Sequence, residues 1–198
     1  PPCDRLFYLV AVMGGNMANK VDVRIVKSKE SLMSALIVLM GKKKLEELTI
    51  SEICQEADVN RNTFYSHYSS VRELFEEMNG KYMEALFASA KVFDEPNDST
   101  IKNLVNVLDK MKEKGNLTKI IFSESNSIKH LNTLLQILFP TSIIDNLKIE
   151  NLSLDECHAF LIGGITSLIL RWIENDFQES PKNFGRKIFN FIEEIKLF

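Results

Sequence analysis

The feature that most constrains this chain is a short run in which three helix starts follow one another closely. Thr49 stands three residues before Glu52, and Ser70 stands three residues before Glu73. In each pair the hydroxyl and the carboxylate can satisfy backbone N–H groups at a helix start, as in a capping box. Asn60, which lies between the pairs, is a favourable N-cap residue. The run therefore predicts two short helices joined by a tight turn, with a third helix starting directly afterwards.

The second of these helices is amphipathic. Phe64 and Tyr68 lie four residues apart on one face, where we expect them to pack inward. The opposite face is rich in hydrogen-bonding groups and contains no acid, which suits a helix that contacts DNA bases and phosphates. The residues of this polar face are Arg61, Asn62, Thr63, Tyr65 and Ser66.

This run resembles the N-terminal domain of the TetR/AcrR family of transcription regulators. The family's helix-turn-helix ends in a pattern like Thr-Phe-Tyr-x-His-Phe, which corresponds here to residues 63–68. Two positions depart from the family pattern. Asp58 replaces the usual Gly of the turn, although Asp tolerates a left-handed backbone better than most residues. Val71 stands where a Lys often contacts phosphate, so we expect one backbone contact to be missing.

The resemblance implies a ligand-responsive transcription regulator, a repressor that binds a near-palindromic operator in double-stranded DNA as a homodimer. It implies that Arg61, Asn62 and Thr63, at the start of the recognition helix, read base edges. The residues expected to hold phosphates are Lys43, Lys44, Ser51, Tyr65 and His67. A small-molecule effector, whose identity the sequence does not indicate, would favour a spacing of the two heads that no longer matches the half-sites.

Two of these assignments have structural alternatives. The run Lys42-Lys43-Lys44 can be a solvated charge cluster instead of a phosphate-steering loop. His67 can interact with the dipole at the end of its helix instead of with DNA. The rival function from another class is a helical protein–protein adaptor that keeps a degenerate helix-turn-helix without DNA affinity.

Charge and cysteine content fit an intracellular regulator. The net charge of −3 argues against a nucleic-acid-binding protein, but residues 20–72 carry nine basic and seven acidic residues, so the negative charge lies elsewhere. Cys3, Cys54 and Cys157 include no Cys-x-x-Cys pair, which argues against a disulfide framework or a structural zinc site and fits a reducing cytoplasm. The apolar run 6–13 is too short to cross a bilayer.

The sequence contains no convincing catalytic site. Residues 155–158 spell Asp-Glu-Cys-His, as in one class of helicase ATPases, but the phosphate-binding loop that such an enzyme needs is missing. His130 and His158 have no partner at metal-ligand spacing. We therefore expect no enzymatic activity, no metal and no cofactor.

The rest of the chain predicts an all-α fold. Periodic apolar residues indicate a helix over 29–41, another over 71 to about 93, and further helices to the end of the chain. We divide the chain into an N-terminal extension (1–19), a helix-turn-helix domain (20–70) and an effector-binding and dimerisation domain (71–198). The expected lining of the effector pocket is Tyr82, Phe122, His130 and Trp172.

The last two helices are the predicted dimer interface. Gly163 and Gly164 lie in the middle of a helix, where each Gly costs about 1 kcal/mol relative to Ala. This cost is tolerable where another helix approaches closely, as in a symmetric dimer. Residues 163–175 also resemble the dimer helix of TetR regulators of the dihydroxyacetone-kinase-regulator type; the alternative is a monomer that buries the stripe internally. The proposed interface residues are Gly163, Gly164, Leu168, Phe184 and Ile188.

Overall fold

The computed structural model describes residues 23–90, 100–144 and 151–195, and in these ranges the chain is helical without any strand. This confirms the predicted all-α class; the extension 1–19 lies outside the described residues. The α-helices are α1 (Val23–Met40), α2 (Ile50–Glu56), α3 (Arg61–Tyr65), α4 (Val71–Ser89), α5 (Thr100–Glu113), α6 (Gly115–Phe122), α7 (Ser125–Leu138), α8 (Leu154–Glu174) and α9 (Pro181–Ile195).

The first helix is longer than predicted. It begins at Val23, six residues before the predicted start at Lys29. Its first turns leave Ile25 and Val26 exposed, so they lack the buried stripe on which the sequence prediction depended. Helix α4 ends at Ser89, whereas the predicted end near residue 93 lies outside the described part of the chain.

The chain divides within α4 into two compact units, one that reaches Gly80 and one that starts at Lys81. The core of the first unit is made by side chains from each of its four helices. All of them are fully buried: Leu32, Leu36, Ile53, Phe64 and Leu74.

The second unit is built on close contacts among α5 to α9. At Gly185 an added Cβ would lie 2.8 Å from Cγ2 of Val105, so this glycine allows α9 to pack directly on α5. The Trp172 ring stacks on Phe184 with 5.1 Å between centroids and meets Phe177 edge-on at 4.9 Å. These contacts join the end of α8 to the start of α9.

The starts of α8 and α9 are capped by serine side chains. Ser153 accepts a hydrogen bond from the Glu156 N–H at 3.3 Å, and the Glu156 carboxylate accepts one from the Ser153 N–H at 2.8 Å. Ser180 likewise accepts from the Asn183 N–H at 3.3 Å, with Pro181 as the first helical residue of α9.

Candidate nucleic-acid interface

The start of α2 is capped as the sequence predicts. Thr49 Oγ1 accepts from the Glu52 N–H at 3.3 Å, and Glu52 Oε2 accepts from the Thr49 N–H at 3.0 Å. At the start of α4 the box is shared between two serines: Ser70 Oγ accepts from the Glu73 N–H, but the Glu73 carboxylate accepts from both the N–H and the hydroxyl of Ser69. The Glu73 carboxylate therefore bonds to the residue before the predicted partner.

The turn between α2 and α3 has the geometry of a Schellman motif. Asp58 has φ of 51°, the left-handed conformation that the sequence predicted for it. Its N–H donates to the Gln55 carbonyl at 3.3 Å, and the Val59 N–H donates to the Cys54 carbonyl at 3.0 Å. The backbone of the turn is therefore satisfied although Asp replaces Gly.

Helix α3 buries one face in the first unit and exposes the opposite face to solvent. Asn60 caps it, with Oδ1 accepting from the Asn62 N–H at 2.8 Å. Phe64 is 0% exposed and packs against Tyr68, with 5.8 Å between ring centroids, whereas Tyr65 is 59% exposed. Arg61, Asn62 and Ser66 are also exposed, and Thr63 is half-buried. The polar face is thus presented to solvent on a rigid base.

His67 has a partner that the sequence did not indicate. Its Nε2 lies 2.8 Å from Oγ of Ser28 on α1, and the Ser28 hydroxyl donates to the Ile25 carbonyl at 3.0 Å. Because a hydroxyl has one hydrogen, Ser28 accepts from His67 in this arrangement. The two residues are 39 positions apart, so no local pattern could have revealed the pair.

The predicted phosphate-binding loop is partly neutralised by acids. Lys43 Nζ lies 2.5 Å from Glu52 Oε1, whereas Lys44 and Ser51 are exposed. Arg72, next to the position where the family often has Lys, pairs with Glu46 at 2.8 Å. Any phosphate held by Lys43 or Arg72 has to compete with these carboxylates.

We expect the Glu52 carboxylate to make the stability of the first unit sensitive to acid. Hydrogen bonds from Lys43, then from Thr49, lower the pKa of Glu52 to about 2 from its ordinary 4.5. Since the folded-state pKa of Glu52 is depressed, its contribution to the free energy of unfolding is complete above about pH 4.5 and is lost as the pH falls toward about 2.

Glu52→Gln is therefore expected to reduce the amount by which the urea midpoint of unfolding falls between pH 5 and pH 3. Glu56→Gln, which changes an exposed acid of the same helix, serves as the control, and an equal slope in both variants would contradict the assignment.

The residues predicted to line an effector pocket fall into separate environments. Tyr82 meets Phe122 edge-on at 6.2 Å between centroids, and its hydroxyl lies 2.7 Å from Thr118 Oγ1. Burial raises the pKa of Tyr82. Trp172 instead donates from Nε1 to the Glu179 carbonyl within its aromatic stack. The structure therefore brings Tyr82 and Phe122 into contact, while the Trp172 ring is committed to the α8–α9 junction.

The predicted dimer surface needs a correction on α9. Phe184 and Ile188 are buried inside their own subunit, because Phe184 stacks on Trp172 and α9 packs on α5. On α8, by contrast, Gly163 and Gly164 are exposed, and no side chain in the described part of the chain lies within 4 Å of a Cβ added at either position. Leu168 is exposed too.

Helix α8 carries a further exposed apolar residue that the sequence analysis missed. Phe160 is 85% exposed and, at one-turn spacing, shares a face with Gly163, Gly164 and Leu168. We call these four residues the α8 face. An isolated Phe in a helical stripe gives no sign of whether it points inward, so its exposure was visible only in the folded chain.

Two other properties of the described residues bear on function. No group of three His, Cys, Asp or Glu side chains there is arranged to hold a metal ion, and His158 Nε2 donates to the Phe139 carbonyl at 2.6 Å.

Helix α8 is long and apolar enough to cross a membrane by length and composition. The core helix of a soluble protein meets the same criterion, so this composition does not indicate a membrane span.

Comparison with known proteins extends the resemblance over most of the chain. The family model described as bacterial regulatory proteins, tetR family, matches residues 32–78, and the model for the transcriptional regulator C-terminal region matches residues 98–194. The uncharacterized HTH-type transcriptional regulator YxbF of Bacillus subtilis (strain 168) is 30% identical over 84 residues. This match spans 42% of the chain but only 22% of the length of YxbF.

Solved structures share the fold at low sequence identity. A TetR transcriptional regulator from Streptococcus agalactiae 2603V is 18% identical with a TM-score of 0.67, covering 85% of this chain and 95% of that one. The dihydroxyacetone kinase operon activator DhaS is 18% identical with a TM-score of 0.56, covering 86% and 97%. The regulator FadR from Bacillus subtilis, in complex with stearoyl-CoA, is 16% identical with a TM-score of 0.57, covering 82% and 96%.

The structures establish the fold, and the two family models establish the relationship. A capped helix-turn-helix with an exposed polar recognition face lies inside the region that the first model matches. The chain belongs to the TetR family of bacterial transcriptional regulators, which bind DNA through this unit.

Proposed function

We propose that the protein is a cytoplasmic, homodimeric repressor that places one α3 helix in each half of a near-palindromic operator. The observation that carries this proposal is the exposed polar face of α3, held in place by the buried Phe64. The α8 face supports a dimer, because its exposed apolar side chains and its two glycines would be covered by the same face of a second copy. The proposal assigns no catalytic activity.

Within this proposal the recognition helix divides its work between bases and phosphates. Arg61, Asn62 and Thr63 lie at the N-terminal end of α3, which in helix-turn-helix proteins contacts base edges. Tyr65 presents its hydroxyl to a phosphate. His67 would donate its Nε2–H to a phosphate oxygen in place of Ser28.

The remaining phosphate contacts would come from the start of α2 and the loop before it. Ser51 lies in the first turn of α2, where backbone N–H groups and the helix dipole favour anions. Lys44 is exposed, and Lys43 would exchange the Glu52 carboxylate for a phosphate. The contribution of this contact to the DNA affinity falls as the salt concentration rises.

The regulatory step would be a population shift driven by a small molecule bound in the second unit. Tyr82, Phe122 and His130 are the proposed lining, whereas the Trp172 ring is held in the aromatic stack at the α8–α9 junction. FadR, which shares the fold, is solved in complex with stearoyl-CoA. An effector that favours one helix packing over another changes the equilibrium only by its difference in affinity for the two states. The proposed outcome is a spacing of the two α3 helices that no longer matches the half-sites.

Selection of bound sequences from random duplexes tests the proposal, because a recovered palindrome demonstrates specificity and symmetry together. On the recovered duplex, Tyr65→Ala is expected to weaken binding about 5- to 150-fold, as for the loss of one base or backbone contact. Lys44→Ala should weaken binding to all sequences alike and reduce the slope of log affinity against log salt by about one.

The matched control is Thr133→Ala, an exposed substitution in the second unit that should leave the gel shift unchanged. No enrichment of any sequence, or binding that is independent of salt, would favour the adaptor and refute the regulator. Unchanged binding by Tyr65→Ala would refute the assignment of α3.

A further inference from the structure

Two polar atoms on one face of α7 are buried without a hydrogen-bond partner. Ser127 is 0% exposed and its Oγ has no partner within the described structure. His130, three residues later, is half-buried, and its Nδ1 is likewise buried without one. Residues at this spacing are neighbours on a helix surface, so the two atoms lie one turn apart on the same side.

The isolation of this pair contrasts with other polar groups of the second unit. Tyr82 bonds to Thr118, and Thr166 donates to Asn132 Oδ1 at 2.5 Å. Because an unsatisfied buried polar atom costs free energy, native proteins pair such atoms with protein, water or a ligand. Ser127 and His130 therefore offer two hydrogen-bonding atoms that no described residue pairs.

We propose that Ser127 and His130 bind the polar head of the effector, and that the effector is an uncharged molecule with an apolar body and a hydroxyl or carbonyl head. The inference rests on the proposed function, since it locates the effector of that regulator. A serine hydroxyl both donates and accepts, and an imidazole does one at each nitrogen, so together they satisfy a neutral head group.

No acidic or basic side chain among the described residues of the second unit is fully buried, so apart from the His130 imidazole nothing buried there offers a counter-charge to a charged effector head. Among the described residues of the second unit, the buried polar side chains are Thr118, Ser127 and Thr166, none of which is ionised. A buried charge without an opposite partner is strongly disfavoured. The neighbouring residues on the same face of α7, Leu131 and Leu134, are fully buried and would contact the apolar body.

The burial of Ser127 also connects binding to regulation. Since this side chain is fully enclosed, a ligand reaches it only by displacing its neighbours. The ligand therefore binds more tightly to a conformation in which α7 is packed differently. Such a difference in affinity between two conformations is what a ligand-driven shift requires.

The test is calorimetric titration of the full chain with four probes that share a chain length and differ in their heads. The probes are 1-decanol, 2-decanone, decanoate and decylammonium. The alcohol and the ketone are expected to bind, and both ions to bind at least about tenfold more weakly, because their charge would be buried unpaired.

Variants then assign the head group to the site. Ser127→Ala should weaken 1-decanol about 5- to 10-fold without lowering the thermal midpoint of the free protein, since it deletes an unpaired hydroxyl. Thr133→Ala is the matched control, because that hydroxyl is exposed on the same helix and donates to the Lys129 carbonyl. His130→Asn, which keeps a polar atom near the Nδ1 position, should bind more tightly than His130→Leu.

Three results would overturn the inference: neither neutral probe binds up to its solubility limit, the ions bind as tightly as the alcohol, or Ser127→Ala behaves like Thr133→Ala. Operator binding, measured without any probe, reports on the proposed function separately. Intact operator binding with failed titrations removes the effector site alone, whereas lost operator binding with successful titrations removes the regulator and leaves the site.

Discussion

Replacing Gly163 by Leu is expected to convert the proposed dimer to monomers without unfolding the subunit. Apart from its chain neighbours and its own helix backbone, no described residue lies within 4 Å of an added Cβ at Gly163. Replacing a mid-helix Gly stabilises a helix by up to about 1 kcal/mol. Across a symmetric interface the new side chain appears twice. Overpacking of about 1–3 kcal/mol at each copy weakens the dimer by about 2–6 kcal/mol.

Sedimentation equilibrium over a concentration series measures this loss directly, and the thermal midpoint of the monomer shows that the fold survives. Gly80→Leu is the matched control, because Gly80 is also a helical glycine with open space around its Cβ but lies outside the α8 face. A Gly163→Leu protein that sediments like the original chain would remove α8 from the interface. The same variant should lose operator binding, since two half-sites need two heads.

Phe64→Ala is expected to unfold the first unit. Phe64 is 0% exposed and contacts both Tyr65 and Tyr68, so truncation leaves a cavity beneath the recognition helix. Removal of a buried Phe side chain costs about 3–5 kcal/mol, a large share of the stability of a small unit. Operator binding should therefore disappear although no residue of the exposed polar face has changed.

Hydrogen exchange separates this effect from a lost contact. In Phe64→Ala, amides of α1 to α3 should lose protection while those of α8 keep it. Tyr65→Ala is the neighbouring control: its side chain is exposed, so protection should persist while operator binding falls. Protection of α2 and α3 that is equal in the two variants would show that Phe64 does not anchor the motif.

Capping and turn residues were the part of the structure most accessible to prediction. The box at Thr49–Glu52 formed as predicted, and Asp58 adopted the left-handed conformation. Each of these features is decided within a few residues, because a side chain bonds to backbone groups of its own turn.

Predictions that depended on an apolar stripe identified the helix correctly but did not identify the surface against which its apolar face packs. Phe184 has the spacing of a buried face, but spacing does not distinguish a neighbouring helix of the same chain from a second copy. The structure places it against Trp172 and leaves Phe160 exposed. The start of α1 was missed for a related reason, since its first turns bury no stripe.

The sequence by itself determined the helical class, the helix-turn-helix and the residues of its polar face, because periodicity and capping are local properties of the chain. Only the tertiary structure decided which side chains meet across long separations: Ser28 with His67, Glu46 with Arg72, and Val105 against Gly185. It also decided that Ser127 is enclosed without a partner. These side-chain pairs and unpaired atoms depend on how the helices pack against one another. That packing is determined by many contacts between distant segments, so no single segment of the sequence predicts it.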